Sequence, residues 1–216
     1  AVGEEVSDDE ALTALVRDLV GSIASADRLI RALLDISKLD SGGIIPKVEE
    51  VALDQVFEEV AREFAVQAEA KGIALRRVRT SAWLRTDRTL LTSVMRNLVS
   101  NAIRYTSDGG VLLGVRRNAE TVFLCVHDTG RGIAPDDITR IFEEFERGSS
   151  REREGLGRGL AIVRRTTALL DTSVTALSEL GRGSRFALPM PVIRWGTPIG
   201  VEADKRPVRT TQEARV

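Results

Sequence analysis

The stretch Asn97–Leu98–Val99–Ser100–Asn101–Ala102–Ile103–Arg104–Tyr105–Thr106 decides how the chain is to be read. On a helix Asn97 and Asn101 share one face, and Arg104, one turn further on, joins them. Leu91, Val94, Leu98 and Ala102 recur at helical spacing and make a separate apolar stripe. One helix therefore carries a buried side and a polar edge of two amides and a cation. Asn competes for backbone hydrogen bonds inside helices, so two of them argue for a task beyond local structure. A neutral amide oxygen is a hard ligand. It suits a Mg2+ that keeps waters and is otherwise held by nucleotide phosphates. The plainer alternative is that both amides bond locally.

Three further signals follow in order. Asp128–Thr129–Gly130–Arg131–Gly132, with Ile133 after it, ends an apolar run from Val122 to Val126 that reads as a strand. A carboxylate there can accept from an exocyclic amine such as that of adenine, and it disfavours a base presenting a carbonyl instead. Gly130 and Gly132 let backbone approach a flat ring with no Cβ in the way. Taken alone, the segment reads equally as a turn built on Asp and Gly. Phe142–Glu143–Glu144–Phe145 comes next. Gly155–Leu156–Gly157–Arg158–Gly159–Leu160 then opens a helical pattern reaching Asp171. Glycines opening a helix expose backbone N–H groups to an anion. Arg147, Arg151 and Arg153 precede them in a loop with Gly148, Ser149 and Ser150, a cationic segment suited to covering phosphates.

These four segments, in this order, resemble the catalytic ATP-binding domain of sensor histidine kinases, within a superfamily shared with gyrase and heat-shock chaperone ATPases. The order is that of the family's N, G1, F and G2 boxes. The resemblance implies Mg2+ ligation by Asn101, with Asn97 beside the phosphates, Arg104 as the basic phosphate contact and Tyr105 packing on adenine. It implies adenine reading by Asp128, with Gly130, Gly132 and Ile133 around the base. It gives Phe142 and Phe145 to the F box, and Arg147, Gly155, Leu156, Gly157, Arg158, Gly159 and Leu160 to the phosphate lid. Gly181–Arg182–Gly183–Ser184–Arg185–Phe186 looks like the family's closing hairpin. The likeness covers roughly residues 8 to 190. The family more often has Leu where this chain has Arg158, which bears on nucleotide affinity.

Composition sets bounds. Lys plus Arg number 31 and Asp plus Glu 32, a net charge of −1, so bulk charge points to neither nucleic acid nor a membrane surface. The one cysteine, Cys125, lies in an apolar strand pattern and is expected as a buried small hydrophobe. With no disulfide framework, the expected setting is a reducing cytoplasm. No apolar run reaches membrane-spanning length. The chain starts Ala1–Val2–Gly3 and reads as a fragment of a longer parent, whose membrane anchoring is left open.

Along the chain, Ser7 is a candidate cap for a helix with Leu12, Leu15, Leu19, Ile23, Ala26, Ile30 and Leu33 in a heptad-like stripe, stopped by Ser41–Gly42–Gly43. The segment from Asp27 to Gly42 resembles the second helix of a histidine kinase dimerisation and phosphoacceptor domain. In that family the first helix carries the phosphorylated His and a neighbouring acidic residue, and both would lie before residue 1. The single His of the chain, His127, is expected as an exposed strand-end residue, not an acceptor.

Residues 44 to 51 are expected to enter a second domain as a strand. A helix over Leu53 to Ala70 turns Val56, Val60, Phe64 and Gln67 to one face and stops at Lys71–Gly72. Strands are expected at Ile73–Val78, Ala82–Leu84, Val111–Val115, Val122–Val126, Ser173–Leu177 and Ser184–Leu188. Asp87 opens the Asn-bearing helix, and Pro135 begins a short helix reaching Arg140. The pattern fades after Pro191.

The expected architecture is α+β: a histidine-kinase-type ATP-binding sandwich, a mixed sheet with helices on one face, preceded by a long dimerisation helix. Residues 1–43 form a partial dimerisation domain, 44–192 the catalytic domain and 193–216 a linker or tail. The implied cofactors are ATP and Mg2+. The implied partners are a second copy in the parent, through the first helix region, and a response regulator receiver domain. The function read is transfer of the ATP γ-phosphoryl group to a histidine outside this chain, for onward transfer to a regulator Asp. The competing reading is a non-catalytic nucleotide-binding interaction module on the same fold. A serine-phosphorylating or chaperone-type relative is disfavoured by the long N-terminal helix.

Overall fold

A computed structural model describes residues 45–118, 121–142 and 159–196. The expected helix over 8–39 and the tail beyond Gly196 lie outside the described residues.

The core begins with two helices that cross the same sheet. α1 spans Leu53–Ala70, as its periodicity predicts. Leu53, Val56, Phe57, Val60 and Ala68 are buried. The expected face drifts at its end: Gln67 is exposed and Ala68 takes the inward place. α2 spans Arg88–Tyr105. Asp87 caps it, its carboxylate accepting from Leu90 N at 2.9 Å and from Lys47 N at 2.7 Å. A cap of this kind stabilises a helix by about 1 kcal/mol. Leu91, Val94, Leu98 and Ala102 are buried as the stripe requires, joined by Met95, Val99 and Ile103. Burying each large aliphatic side chain contributes about 2 kcal/mol before entropy is counted.

The sheet is mixed. Its strands are β1 (Glu49–Ala52), β2 (Ala74–Arg77), β3 (Ala82–Thr86), β4 (Gly110–Asn118), β5 (Thr121–Asp128), β6 (Thr175–Glu179) and β7 (Gly183–Trp195). The order is β1-β3-β7-β5-β4-β2, with β6 also against β7. Only the β2–β4 pair is parallel among the described pairs. Leu113, Val126 and Phe186 lie opposite one another across β4, β5 and β7, and with Val122, Leu124, Leu188 and Met190 they form the inner face. α1, α2 and α3 (Gly159–Leu169) pack over the core this face supplies.

Two expectations change. The segment from Pro135 makes two 3₁₀ turns, Pro135–Asp137 and Arg140–Phe142, not one helix to Arg140. The run is too short to close a ladder of i to i−4 bonds, and Asp137 N and Ile138 N reach back three residues to Ala134 O and Pro135 O. The last strand does not stop near 188 or 192 but runs to Trp195, changing partner from β5 to β3. Its prolines are tolerated for a local reason. The Pro189 carbonyl accepts from Thr172 Oγ1 at 2.6 Å, so the side of Pro189 that lacks an N–H faces away from β5. On that side β6 ends its pairing at Ala187 and β3 begins at Val192.

Candidate nucleotide site

α2 is the spine of the site. Asn97 and Asn101 lie half-buried on one face, and Arg104 and Tyr105 are exposed at its carboxyl end. Asn97 Nδ2 donates to Ser93 O at 2.9 Å, so the local-bonding alternative holds for the nitrogen half of this amide. No hydrogen bond of the Asn101 amide is recorded among the described residues. A Cβ added at Gly159, on α3, would lie 3.3 Å from Asn101 Nδ2 and 3.4 Å from Asn97 Oδ1. The bare glycine therefore keeps the space over both amides clear. That donor set, neutral oxygens without a carboxylate cluster, fits a hydrated Mg2+ shared with phosphates. Among the described residues, no group of three or more His, Cys, Asp or Glu side chains is placed to hold a metal.

The loop after β5 docks on the end of the same helix. Arg131 N donates to Tyr105 O at 3.2 Å. A Cβ at Gly130 would collide with that carbonyl oxygen, and one at Gly132, where φ is +72°, would collide with Glu179 O. Protein backbone thus fills the space these glycines leave, so close chain packing is the reason for them that the structure supplies. Tyr105 is 39% exposed, with the Arg131 guanidinium 4.8 Å and the Arg104 guanidinium 5.7 Å from its ring centre.

Asp128 ends β5 on its inner face and is 9% exposed. Its Oδ1 accepts from Gly130 N at 2.9 Å and Ser184 N at 3.1 Å. Oδ2 has no recorded partner among the described residues. Burial pushes the carboxyl above the ordinary carboxylate range, opposed by the Gly130 and Ser184 amides and by His127. His127 is an exposed strand-end residue, as expected. The partial shelter of its ring, and then Arg185, hold its pKa below the ordinary value, against Asp128. Cys125 is a buried free thiol whose pKa burial raises.

Of the remaining residues, Phe142 meets Phe186 edge to face at 6.3 Å and packs against the core, as do Ile133 and Leu160. Phe145, Arg147, Gly155, Leu156, Gly157 and Arg158 lie outside the described residues. Sequence reasoning gave no role to Lys71 or Ser178. Lys71 Nζ donates to Ile103 O at 2.8 Å and Arg104 O at 2.7 Å, closing the end of α2. Ser178 Oγ accepts from Ile133 N at 2.8 Å. The only signal for Lys71 was its place in a helix stop, and Ser178 left none.

Residues 86–194 match the family described as histidine kinase-, DNA gyrase B-, and HSP90-like ATPase. Over 171 residues the chain is 36% identical to the sensor-like histidine kinase SenX3 of Mycobacterium tuberculosis, covering 76% of this chain and 42% of that protein. Over 194 residues it is 34% identical to the sensor protein QseC of Salmonella typhi, covering 89% of this chain and 40% of that protein. It is similar to full-length ShkA in complex with AMPPNP, with a TM-score of 0.69 and 31% identity over 76% of this chain and 35% of that one. The Acinetobacter baumannii histidine kinase AdeS shares the fold, with a TM-score of 0.67 at 22% identity over 84% of this chain and 85% of that one. The chain thus spans about two fifths of the length of these curated relatives. Among the described residues no helix is long and apolar enough to cross a membrane.

Proposed function

Because the chain belongs to the histidine kinase-, DNA gyrase B- and HSP90-like ATPase family and carries the ATP-binding catalytic domain of a histidine kinase, we propose that it works as a protein-histidine kinase. It transfers the γ-phosphoryl group of ATP to a histidine supplied from outside these 216 residues. The observation that carries this reading is the use of one helix as a double platform. Its middle faces Gly159 through Asn97 and Asn101, and its end holds the Asp128 loop through Tyr105 O.

Asp128 Oδ2 accepts from the adenine amine while Oδ1 stays with the two backbone amides. Tyr105 packs on the base, with Ile133 beside it. Arg104 meets the phosphates at the end of α2, and the glycines and arginines of 147–160 cover them. Asn101, with Asn97 beside it, would hold Mg2+, which when bound to ATP supplies charge neutralisation on the β- and γ-phosphates. The chain's own contribution is positioning: it holds the triphosphate in line for an acceptor imidazole. The imidazole nitrogen bonds to the γ-phosphorus as the bond to the β–γ bridging oxygen breaks and ADP leaves.

His127 is not the acceptor. It pairs with Arg185 and Leu112 across the outer face of the sheet, beside Asp128 rather than on a helix. Residues 1–43 serve as part of the dimerisation domain, residues 44–192 as the catalytic domain, and 193–216 as the tail. A second copy and a receiver-domain Asp complete the relay, at a cytoplasmic location.

The test has two parts. Calorimetric titration with a non-hydrolysable ATP analogue, with and without Mg2+, should show binding that strengthens with the metal. A separately supplied helical phosphoacceptor domain with its His should then take labelled phosphate from ATP. Binding at micromolar nucleotide with no transfer to any supplied acceptor would favour the non-catalytic module instead.

A further inference from the structure

One side-chain hydroxyl sits at the centre of the contacts that fasten the β6–β7 hairpin to the Asp128 loop. Ser178 Oγ is half-buried and lies within hydrogen-bond distance of three groups. Ile133 N donates to it at 2.8 Å, it donates to Gly183 O at 2.9 Å, and Ser184 Oγ lies 3.0 Å away. A hydroxyl has one proton to give and two lone pairs. With that proton on Gly183 O, the Ser184 hydroxyl must be the donor to Ser178. Ser178 then gives one hydrogen bond and takes two, and its capacity is full.

The position of this hub matters more than its count. Ile133 lies near the far end of the loop that follows Asp128. Gly183 precedes Ser184, whose N–H holds Asp128 Oδ1 at 3.1 Å. Ser178 therefore ties the far end of the loop to the strand that orients the carboxylate. Two further contacts close the same frame: Gly181 N donates to Arg131 O at 2.8 Å, and the Gly132 backbone lies against Glu179 O. With Oδ1 held by main-chain amides, the direction of Oδ2 is set by how the hairpin sits on the loop.

We propose that Ser178 is a positioning residue for base selection: through Ile133, Gly183 and Ser184 it fixes the carboxylate oxygen with which Asp128 distinguishes adenine from guanine. This rests on the nucleotide-binding reading above. Ser178 does not touch the base. It acts by preventing rotation of a carboxylate that would otherwise turn its free oxygen out of line with the adenine amine.

The experiment compares wild type, Ser178→Ala and Ser178→Thr in the same protein. Affinities are measured for non-hydrolysable ATP and GTP analogues with Mg2+, together with thermal unfolding and amide hydrogen exchange at Ile133 and Ser184. Ser178→Ala should weaken the ATP analogue by about tenfold, leave the GTP analogue nearly unchanged, and so compress the preference between them. Exchange at Ile133 and Ser184 should quicken. Ser178→Thr keeps the hydroxyl and should keep the wild-type preference. Should Ser178→Ala not fold, Ser178→Cys, with a weak donor and acceptor, carries the same comparison. An unchanged ATP-to-GTP ratio in Ser178→Ala or its Cys substitute, including equal loss for both analogues, overturns the proposal. Wild type binding neither analogue would overturn the underlying nucleotide reading, and that result needs no variant.

Discussion

The main-chain amide of Ser184 reaches Asp128 Oδ1 at 3.1 Å across 56 positions of sequence. The last strand thereby orients the carboxylate at the end of β5. Replacing Asp128 by Asn should keep this frame, because the amide oxygen still accepts from Ser184 N and Gly130 N. It turns the outward acceptor into a donor, which faces the donor amine of adenine. Affinity for an ATP analogue should fall by at least about a hundredfold by calorimetry, while the circular dichroism spectrum stays that of wild type. Equal affinity in the two proteins would remove Asp128 from the base.

The same carboxylate predicts an acid limit on binding. Burial raises its pKa in the folded, unliganded protein. Only the ionised form accepts from an amine without also presenting a proton. Affinity should be full above the raised pKa and fall as pH drops through it, in a range above that of ordinary carboxylates. Asp128→Asn should show no such step. Stability moves the other way. An acid whose folded pKa is raised contributes most below its unfolded pKa, and that contribution is lost as pH rises through the folded value. The difference in melting temperature between wild type and Asp128→Asn, followed across pH, checks this sign.

Asn101 makes a different prediction from Asn97. Asn97 spends its N–H on Ser93 O, whereas no hydrogen bond of the Asn101 amide is recorded among the described residues. Asn101→Ala should therefore leave the melting temperature within about 2 °C. It should remove the Mg2+-dependent gain in nucleotide affinity and the transfer of phosphate to a supplied acceptor. Full transfer by Asn101→Ala would sink the assignment. Asn97→Ala should also cost some helix stability.

Local signals made the helices legible. The apolar period placed α1 over Leu53–Ala70, and Asp87 marked the start of α2. The juxtaposition of Asn97 and Asn101 followed from helix geometry alone. The sheet order was not legible, because β2 pairs with β4 and β7 with both β5 and β3 across long stretches of chain. Pro189 and Pro191 look like strand breakers until the neighbours of β7 are known. Ser178 is one polar residue in an alternating strand, and its partners Ile133 and Ser184 are brought to it only by the tertiary fold.

Lys71 closes the carboxyl end of α2, where its ammonium meets Ile103 O and Arg104 O. These carbonyls have no further turn to receive them, and a cation there also opposes the negative end of the helix dipole. Lys71→Met should cost about 1 kcal/mol of stability, seen as a fall of a few degrees in melting temperature. Because Arg104 and Tyr105 sit on this last turn, nucleotide affinity should fall about threefold as well. Lys71→Arg, which keeps the charge and the donors, should recover most of both. Recovery by Lys71→Gln as complete as by Lys71→Arg would show that charge at this helix end is irrelevant.

Two glycines with nearly the same backbone angle separate conformational strain from collision. Gly72 has φ +71° and Gly132 has φ +72°. A Cβ at Gly72 meets nothing within 4 Å, whereas at Gly132 it would overlap Glu179 O and lie 2.9 Å from Leu180 Cα. Gly72→Ala should thus cost only the left-handed penalty, about 1 kcal/mol. Gly132→Ala adds displacement of the β6–β7 hairpin and should cost about 3 kcal/mol or more. The difference should also appear in function. Moving the hairpin disturbs Ser178 and Ser184, so Gly132→Ala should weaken an ATP analogue even at temperatures where it is fully folded, while Gly72→Ala should bind as wild type. Equal melting temperatures for the two variants would show that the hairpin yields freely to the loop and does not constrain Asp128.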